Sequence, residues 1–162
     1  MNWYENAIFY QALVGSFKDA GPSGGQGVGT LQGVIEKLDY LQWLGVDCLW
    51  LSPFYASPLK DDGYDIADYY AIHPDYGTME DFEQLVAETH KRGMRLMTDL
   101  ALNHTSTEHE WFQASRRDPA GPYGDYYVWG DDPNRYPEIR IIFTDVEDST
   151  WAWDEVREQY YF

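Results

Sequence analysis

The sequence predicts an α/β fold in which parallel strands alternate with helices. One observation is that a helical pattern ending at a glycine and followed by a short apolar strand occurs twice along the chain. Another is that a segment rich in strand formers precedes the first of these patterns. Parallel strands joined by helices collect polar functional groups at the carboxyl ends of the strands, so that edge of the sheet is where a site is expected.

Three strands and two helices are predicted in the first part of the chain. Their bounds in chain order are strand 8–14, helix 31–45, strand 48–51, helix 78–93 and strand 95–102. The first helix is expected to end at Gly45, because glycine readily takes the left-handed backbone of a helix terminus. The second is expected to begin at Thr78, with Asp81 three residues later as a capping partner.

The second part of the chain has a different character. From Thr105 onward the helix and strand alternation stops, and aromatic, proline, glycine and aspartate residues dominate. We therefore expect residues 1–104 to form the sheet and its helices, and residues 105–162 to begin an inserted subdomain. Since three strands cannot close an eight-stranded barrel, the sequence predicts the front portion of a larger protein.

Composition restricts the class of partner. The 11 basic and 28 acidic side chains give a net charge of −17, which repels nucleic acid and anionic membranes and favours a neutral or cationic ligand. A basic signal segment and an apolar run of the ~20 residues that span a membrane are both lacking. The single cysteine, Cys48, lies in an apolar run and has no disulfide partner, which predicts a buried thiol in a reducing, cytoplasmic compartment.

Polar side chains follow the second and third predicted strands where each leaves the sheet. The loop from Lys60 to Tyr70 holds four aspartates and three tyrosines, and Asp99, Asn103 and His104 accompany the third strand. Carboxylates accept hydrogen bonds from sugar hydroxyls, and aromatic rings stack on the apolar face of a pyranose. Taken alone, each group also fits a simpler interpretation, a structural aspartate and histidine or a solvated loop. A shared sheet edge favours a saccharide site.

Three motifs resemble the α-amylase superfamily, glycoside hydrolase family 13. They are Leu51-Ser-Pro-Phe-Tyr55, Asp61-x-x-Tyr64-Asp65 and Asp99-Leu-Ala-Leu-Asn-His104. In order and spacing they are similar to the amino-terminal third of the family's catalytic (β/α)₈ TIM barrel, which carries an inserted subdomain B after its third strand. The segment Arg140-Ile-Ile-Phe-Thr-Asp145 further resembles the members of the family that interconvert maltose and trehalose.

The resemblance implies roles for five positions. His104 is implied to hydrogen-bond the sugar and to stabilise the transition state. Tyr64 is implied to stack beneath the glucosyl ring, and Asp61 to bind its far hydroxyls. Asp99 resembles the family's structural acid, and Asn103 a position that ligates calcium. Retaining chemistry needs two carboxyl groups about 5 Å apart, which in the family lie on later strands, so this segment alone is expected to be inactive.

Three activities stay open under this resemblance. An isomerase would hold the freed glucose behind a closed lid until it attacks through another hydroxyl, and the aromatic segment after Thr105 is a candidate part of that enclosure. An α-glucosidase would admit water instead. A non-catalytic member would bind sugar without turning it over.

Other motifs in the sequence give little support for a phosphate, metal or glycosylation site. The glycine-rich loop Asp19–Thr30 lacks the Lys-Ser/Thr of a phosphate-binding loop and holds too few acids for a calcium site. His104 and His109 do not have the spacing of zinc ligands on one helix face. We interpret the glycosylation sequon at Asn103 as a chance match.

Overall fold

A three-stranded parallel sheet forms the centre of the first unit, Met1–Ser106, in the computed structural model, which describes residues 2–21, 27–141 and 148–162. The elements of this unit are a 3₁₀-helix (Trp3–Glu5), β1 (Phe9–Ala12), α1 (Val14–Phe17), α2 (Leu31–Glu36), α3 (Leu38–Leu44), β2 (Cys48–Leu51), β3 (Tyr55–Ala56), β4 (Asp68–Ile72), α4 (Met79–Lys91) and β5 (Arg95–Thr98). The sheet order is β1–β2–β5 with both pairs parallel, which confirms the predicted α/β class.

The two faces of this sheet differ in what they contact. Side chains alternate along a strand, so the paired residues Ala12 and Leu51 share one face, and both are buried. They belong to a core that also includes helix residues Val34, Leu38, Leu41 and Leu85. The opposite face carries the register row Gln11, Trp50 and Met97, in which Trp50 is half-buried and the other two are exposed.

The helix predicted over residues 31–45 is two helices that meet at Lys37. The N–H of Lys37 donates to the carbonyl of Val34, three residues back instead of four, so the backbone tightens there and the helix axis is interrupted. A periodic apolar pattern does not reveal such a break, because the buried positions continue on both sides. The predicted end of this region is confirmed, since Gly45 adopts a left-handed φ of 87° after α3.

The start of α4 is confirmed as predicted. The Thr78 hydroxyl accepts from the Asp81 N–H at 3.2 Å, and the Asp81 carboxylate accepts from the Thr78 N–H at 2.8 Å. This reciprocal capping box satisfies two backbone donors at the helix terminus. Gly93 follows the helix with a left-handed φ of 75°, as expected of a glycine that ends a helix.

The outer strands are shorter than predicted. The strand expected over 8–14 ends at Ala12, because Val14 begins α1. The strand expected over 95–102 ends at Thr98, the register partner of Leu51. Pro53 cannot donate a ladder hydrogen bond, so β2 stops at Leu51 and β5 loses its neighbour beyond that point. The last contact is the Asp99 N–H, which donates to the Leu51 carbonyl at 2.9 Å.

A hairpin occupies part of the region expected to be a loop. Strand β4 pairs antiparallel with β3, with Tyr55 opposite Ile72 and Ala56 opposite Asp68. The acidic residues between Lys60 and Asp68 favoured the prediction of a loop, although the strand-forming Tyr-Tyr-Ala-Ile follows them. The hairpin anchors both ends of the acidic, tyrosine-rich segment, so residues 57–67 form a closed loop.

The second unit, Thr107–Phe162, has its own core. Its described elements are α5 (Glu110–Arg117), β6 (Trp129–Gly130), β7 (Ala152–Asp154) and β8 (Gln159–Tyr161), with an antiparallel strand order β6–β8–β7. The rings of Phe112, Trp129 and Tyr161 pack together. The Arg157 guanidinium lies 4.4 Å from the Trp129 ring centroid and donates to the Ser115 carbonyl at 2.8 Å. These aromatic residues therefore act as the core of their unit.

Two expectations from composition concern the thiol and the membrane. Cys48 is buried on β2, as predicted, and burial raises the pKa of its thiol. Among the residues that the structure describes, we find no helix of the length and apolar character that a membrane crossing requires.

Candidate functional site

The carboxylate of Asp99 lies immediately after β5 and joins two other segments of the first unit. Its Oδ1 accepts a hydrogen bond from the indole Nε1 of Trp50 at 2.9 Å, and its Oδ2 accepts one from the Tyr64 hydroxyl at 2.8 Å. Because each oxygen has its own donor, the plane of the carboxylate is fixed. The predicted structural acid therefore connects β2, β5 and the loop between β3 and β4.

Tyr64 is held as a phenol at this position. The hydrogen bond to Asp99 raises the pKa of Tyr64, and burial and the nearby Asp99 and Asp61 charges act in the same direction, while the Ser52 hydroxyl opposes them. Ser52 is itself buried and accepts from the Gln11 side-chain amide at 3.2 Å. An uncharged ring fixed in place can serve as a stacking surface for a sugar.

His104 lies at the end of the segment that follows β5, and its ring is next to Tyr64. The imidazole Nε2 is 3.1 Å from the Tyr64 carbonyl oxygen. Since a carbonyl can only accept, Nε2 carries a proton in this contact, and Nδ1 is the acceptor of the neutral ring. The His104 side chain is exposed and therefore accessible to a ligand.

The segment carrying His104 is fixed to the hairpin by Tyr69 on β4. The Tyr69 hydroxyl lies 2.7 Å from the carbonyl oxygen of Ala101 and 3.1 Å from that of His104. Burial raises the pKa of Tyr69, which keeps its hydroxyl available as a donor. Tyr69 thus determines the path of the chain between Asp99 and His104.

Asp65 organises the loop that presents Asp61 and Tyr64. Its carboxylate accepts from the Ser57 hydroxyl at 2.8 Å, the Lys60 N–H at 2.9 Å and the Asp61 N–H at 3.1 Å. Burial raises the pKa of Asp65, but these hydrogen bonds outweigh that effect and lower the pKa below its usual range. The structure thus assigns a clear role to an aspartate that sequence reasoning treated only as part of a motif.

Asp61 lies on the exposed side of the same loop. Its carbonyl accepts from the Tyr64 N–H at 2.9 Å, which closes a tight turn between the two residues. Gly63 makes this turn possible, because it has a φ of 99° and a Cβ there would lie 3.0 Å from the Pro53 carbonyl oxygen. The Asp61 carboxylate is close enough to contribute to the raised pKa of Tyr64.

Asn103 is exposed on the segment after β5. Calcium takes six to eight oxygen ligands, and within residues 2–21, 27–141 and 148–162 we find no group of three or more His, Cys, Asp or Glu side chains suited to a metal. One amide oxygen does not make a calcium site, so calcium ligation by Asn103 stays a prediction. In the glycine-rich loop, the Asp19 carboxylate accepts from the backbone N–H groups of Gly21 and Gly27.

The structure brings three of the five predicted residues, Asp99, Tyr64 and His104, into direct contact, and the turn that contains Tyr64 carries Asp61. Their roles toward a ligand stay predictions. Sequence reasoning missed Trp50, which it treated only as part of the short apolar strand 48–51. Its position directly before the last residue of β2 was the available signal. The motif at 140–145 lies outside the described residues from position 142 onward.

Known proteins are similar to this chain over nearly its whole length. Residues 11–162 match the family model of the alpha amylase catalytic domain. The trehalose synthase/amylase TreS of Mycolicibacterium smegmatis is 56% identical, over 99% of this chain and 27% of that protein. The trehalose-6-phosphate hydrolase of Bacillus subtilis is 49% identical, over 98% of this chain and 28% of that protein.

Solved structures are also similar to this chain over its whole length. The trehalulose synthase MutB from Pseudomonas mesoacidophila MX-45 superposes with a TM-score of 0.89 at 47% identity, covering 100% of this chain and 28% of MutB. Structures of MutB mutants contain glucose or the substrate sucrose. The chain thus spans about a quarter of the length of the relatives it matches.

Proposed function

Because the chain belongs to the α-amylase family, we propose that it forms one wall of the saccharide site of a retaining enzyme that interconverts maltose and trehalose. In this proposal β1, β2 and β5 are the first three strands of a (β/α)₈ barrel, and residues 105–162 begin its subdomain B. The contacts that join Asp99, Tyr64 and His104 carry the proposal. The 56% identity to a trehalose synthase supports the choice of substrate.

The chemistry of the site suits a neutral sugar. The fixed phenol of Tyr64 offers an apolar face for the glucosyl ring, and the exposed carboxylate of Asp61 can accept from its hydroxyls. His104, with Nε2 donating to the Tyr64 carbonyl, presents its other nitrogen as an acceptor for a sugar hydroxyl.

The residues of this chain bind and orient the substrate, and they do not perform the bond exchange. In a retaining mechanism one carboxylate attacks the anomeric carbon while a second, about 5 Å away, donates a proton to the leaving oxygen. We assign neither role to a described residue, so the isolated chain is proposed to be inactive. In the full mechanism the attacking carboxylate forms a glucosyl ester. A different hydroxyl of the retained glucose then attacks the anomeric carbon of this ester, which releases the carboxylate, and the proton of that hydroxyl returns to the second carboxyl group.

The complete gene product incubated with maltose tests this proposal. We expect trehalose as the main product, with a smaller amount of free glucose from water attack. Glucose alone would reject the isomerase assignment and favour an α-glucosidase, an alternative supported by the 49% identity to a trehalose-6-phosphate hydrolase. Maltose binding without any product would favour the third alternative, a non-catalytic sugar-binding protein.

A further inference from the structure

We infer that a cavity of about 220 Å³ at the amino edge of the parallel sheet binds a small zwitterion of the α-amino acid class. The cavity lies in the first unit, and its lining residues are Trp3, Asn6, Ala7, Asp47, Gly93 and Arg95. Arg95 is the first residue of β5, whereas Asp99 follows the last, so the cavity and the proposed saccharide wall lie at opposite ends of this strand. The inference therefore does not rest on the proposed function.

The Arg95 side chain is held beside the cavity without using its hydrogen-bond donors. Its guanidinium carbon lies 4.4 Å from the centroid of the Trp3 ring, and a cation is attracted to the face of an aromatic ring. Trp3 is itself packed against Phe9, with ring centroids 5.7 Å apart. Among the residues that the structure describes, the Arg95 guanidinium has no hydrogen-bond acceptor. A planar fork of N–H donors fixed in this way is suited to a carboxylate, which it binds through parallel hydrogen bonds.

Asp47 supplies the opposite charge at the same cavity. Its Oδ2 accepts from the Ile8 N–H at 2.8 Å, which fixes the carboxylate next to the start of β2. Its backbone carbonyl accepts from the Arg95 N–H at 2.8 Å, so the pairing of β2 with β5 holds the two charged residues side by side. Within the described part of the chain, their side chains form no ion pair with each other, and Oδ1 of Asp47 has no donor. Both charges are therefore available to a ligand.

The pairing of charges determines the class of ligand. A simple anion would meet the like charge of Asp47, and a simple cation that of Arg95, whereas a zwitterion places its carboxylate against Arg95 and its ammonium group against Asp47. A zwitterion is also neutral overall, so the net charge of −17 does not repel it. The cavity is smaller than the roughly 300–1,000 Å³ of sites for drug-sized ligands, which suits a single amino acid. Trp3 and Ala7 offer apolar surface to its side chain.

Three related ligands test the inference by calorimetry on the complete gene product. L-Valine carries both charges, isovalerate lacks the ammonium group, and isobutylamine lacks the carboxylate. We expect L-valine to bind with a roughly millimolar dissociation constant and each of the other two about fivefold more weakly, because each loses one solvent-exposed ion pair. Raising the sodium chloride concentration should weaken L-valine binding, since salt screens both charges. Equal binding of the three ligands, or no binding of L-valine, would overturn the inference.

Two substitutions identify the cavity as the place where L-valine binds. Arg95→Gln and Asp47→Asn each remove one charge, and the Asn carbonyl can still accept from the Ile8 N–H. Each should weaken L-valine binding about fivefold. Arg95→Gln should weaken the binding of isovalerate but not of isobutylamine, and Asp47→Asn should do the reverse, a crossed pattern that a general loss of structure does not produce. The control is Lys91→Gln on α4, where the side chain is 73% exposed, and it should bind L-valine unchanged.

Titrations with sugars separate this inference from the proposed function. Maltose affinity should be the same in Arg95→Gln and Asp47→Asn as in wild type, because Asp99 lies at the other end of β2 and β5. L-Valine binding that neither substitution changes would place the amino acid elsewhere and overturn the inference. Glucose binding that both substitutions weaken, without any binding of L-valine, would show a site for a neutral polyol and overturn it as well. Failure of the wild-type protein to act on maltose would reject the proposed function and leave this inference standing.

Discussion

Two loops that follow neighbouring parallel strands are each organised by one aspartate, yet they present different surfaces. After β1, Asp19 accepts from the backbone N–H groups of Gly21 and Gly27 at 2.8 and 2.7 Å. After β2, Asp65 accepts from Ser57, Lys60 and Asp61. The first loop is rich in glycine, whereas the second carries carboxylates and a tyrosine. Both loops thus use an aspartate in the same way, but only the loop after β2 carries the side chains of the proposed saccharide site.

The largest expected effect comes from removing the organising aspartate of the second loop. Asp65→Ala leaves two backbone N–H groups and the Ser57 hydroxyl without their charged acceptor, so we expect a loss of about 2–4 kcal/mol in unfolding free energy. Maltose affinity of the complete gene product should fall by more than tenfold, because Asp61 and Tyr64 lose their positions. Urea denaturation and calorimetry measure the two effects.

Asp19→Ala is the matched control in the first loop. It removes an acceptor of two backbone N–H groups and should also cost stability, about 1–3 kcal/mol. Maltose affinity should stay at the wild-type value. Equal losses of maltose affinity in the two variants would mean that the loops do not differ in function.

A second comparison uses one glycine from each loop. Gly63 has a φ of 99° and a Cβ there would lie 3.0 Å from the Pro53 carbonyl oxygen, whereas Gly27 has a φ of 79° and open space around it. We expect Gly63→Ala to cost about 2–3 kcal/mol, through both backbone strain and steric contact, and Gly27→Ala only about 1 kcal/mol. Thermal unfolding of both variants checks the difference, and equal costs would contradict the tight approach at Pro53.

Removing the hydroxyl of Tyr69 is expected to lower the unfolding free energy by a smaller amount. Tyr69→Phe removes the hydrogen bonds to the carbonyls of Ala101 and His104 and should cost about 1 kcal/mol in unfolding free energy. The control is Tyr70→Phe, since the adjacent ring is 86% exposed, and it should be neutral. A neutral Tyr69→Phe with unchanged maltose affinity would show that the segment after β5 does not depend on this contact.

The smallest expected effect is a pH dependence of stability due to Asp65. Its folded-state pKa is lowered, net of the opposing effect of burial, by hydrogen bonds from Ser57, Lys60 and Asp61. The unfolded chain therefore takes up a proton first as the pH falls. The stabilisation is fully present above the unfolded pKa of about 3.9 and is lost as the pH falls through the lower folded pKa. Urea unfolding from pH 6 to pH 2.5 should show a shallower decline in Asp65→Asn than in wild type.

Local rules predicted much of the first unit because they act within a few residues. The Thr78–Asp81 capping box and the left-handed Gly45 and Gly93 are each determined by short segments. The break at Lys37 was missed because the buried apolar positions continue on both sides of it, and the strand Asp68–Ile72 because it depends on a partner strand. Only the pairing partner of Asp68–Ile72 lies in another segment of the chain.

The sequence by itself determined which side chains reach the carboxyl edge of the sheet, because strand alternation and motif order place Asp61, Tyr64, Asp99 and His104 there. Only the tertiary structure decided their partners. The Trp50 indole meets Asp99 because β2 and β5 pair with Trp50 opposite Met97. That register is a property of two segments far apart in the chain, and a shift by one residue would turn the indole to the other face.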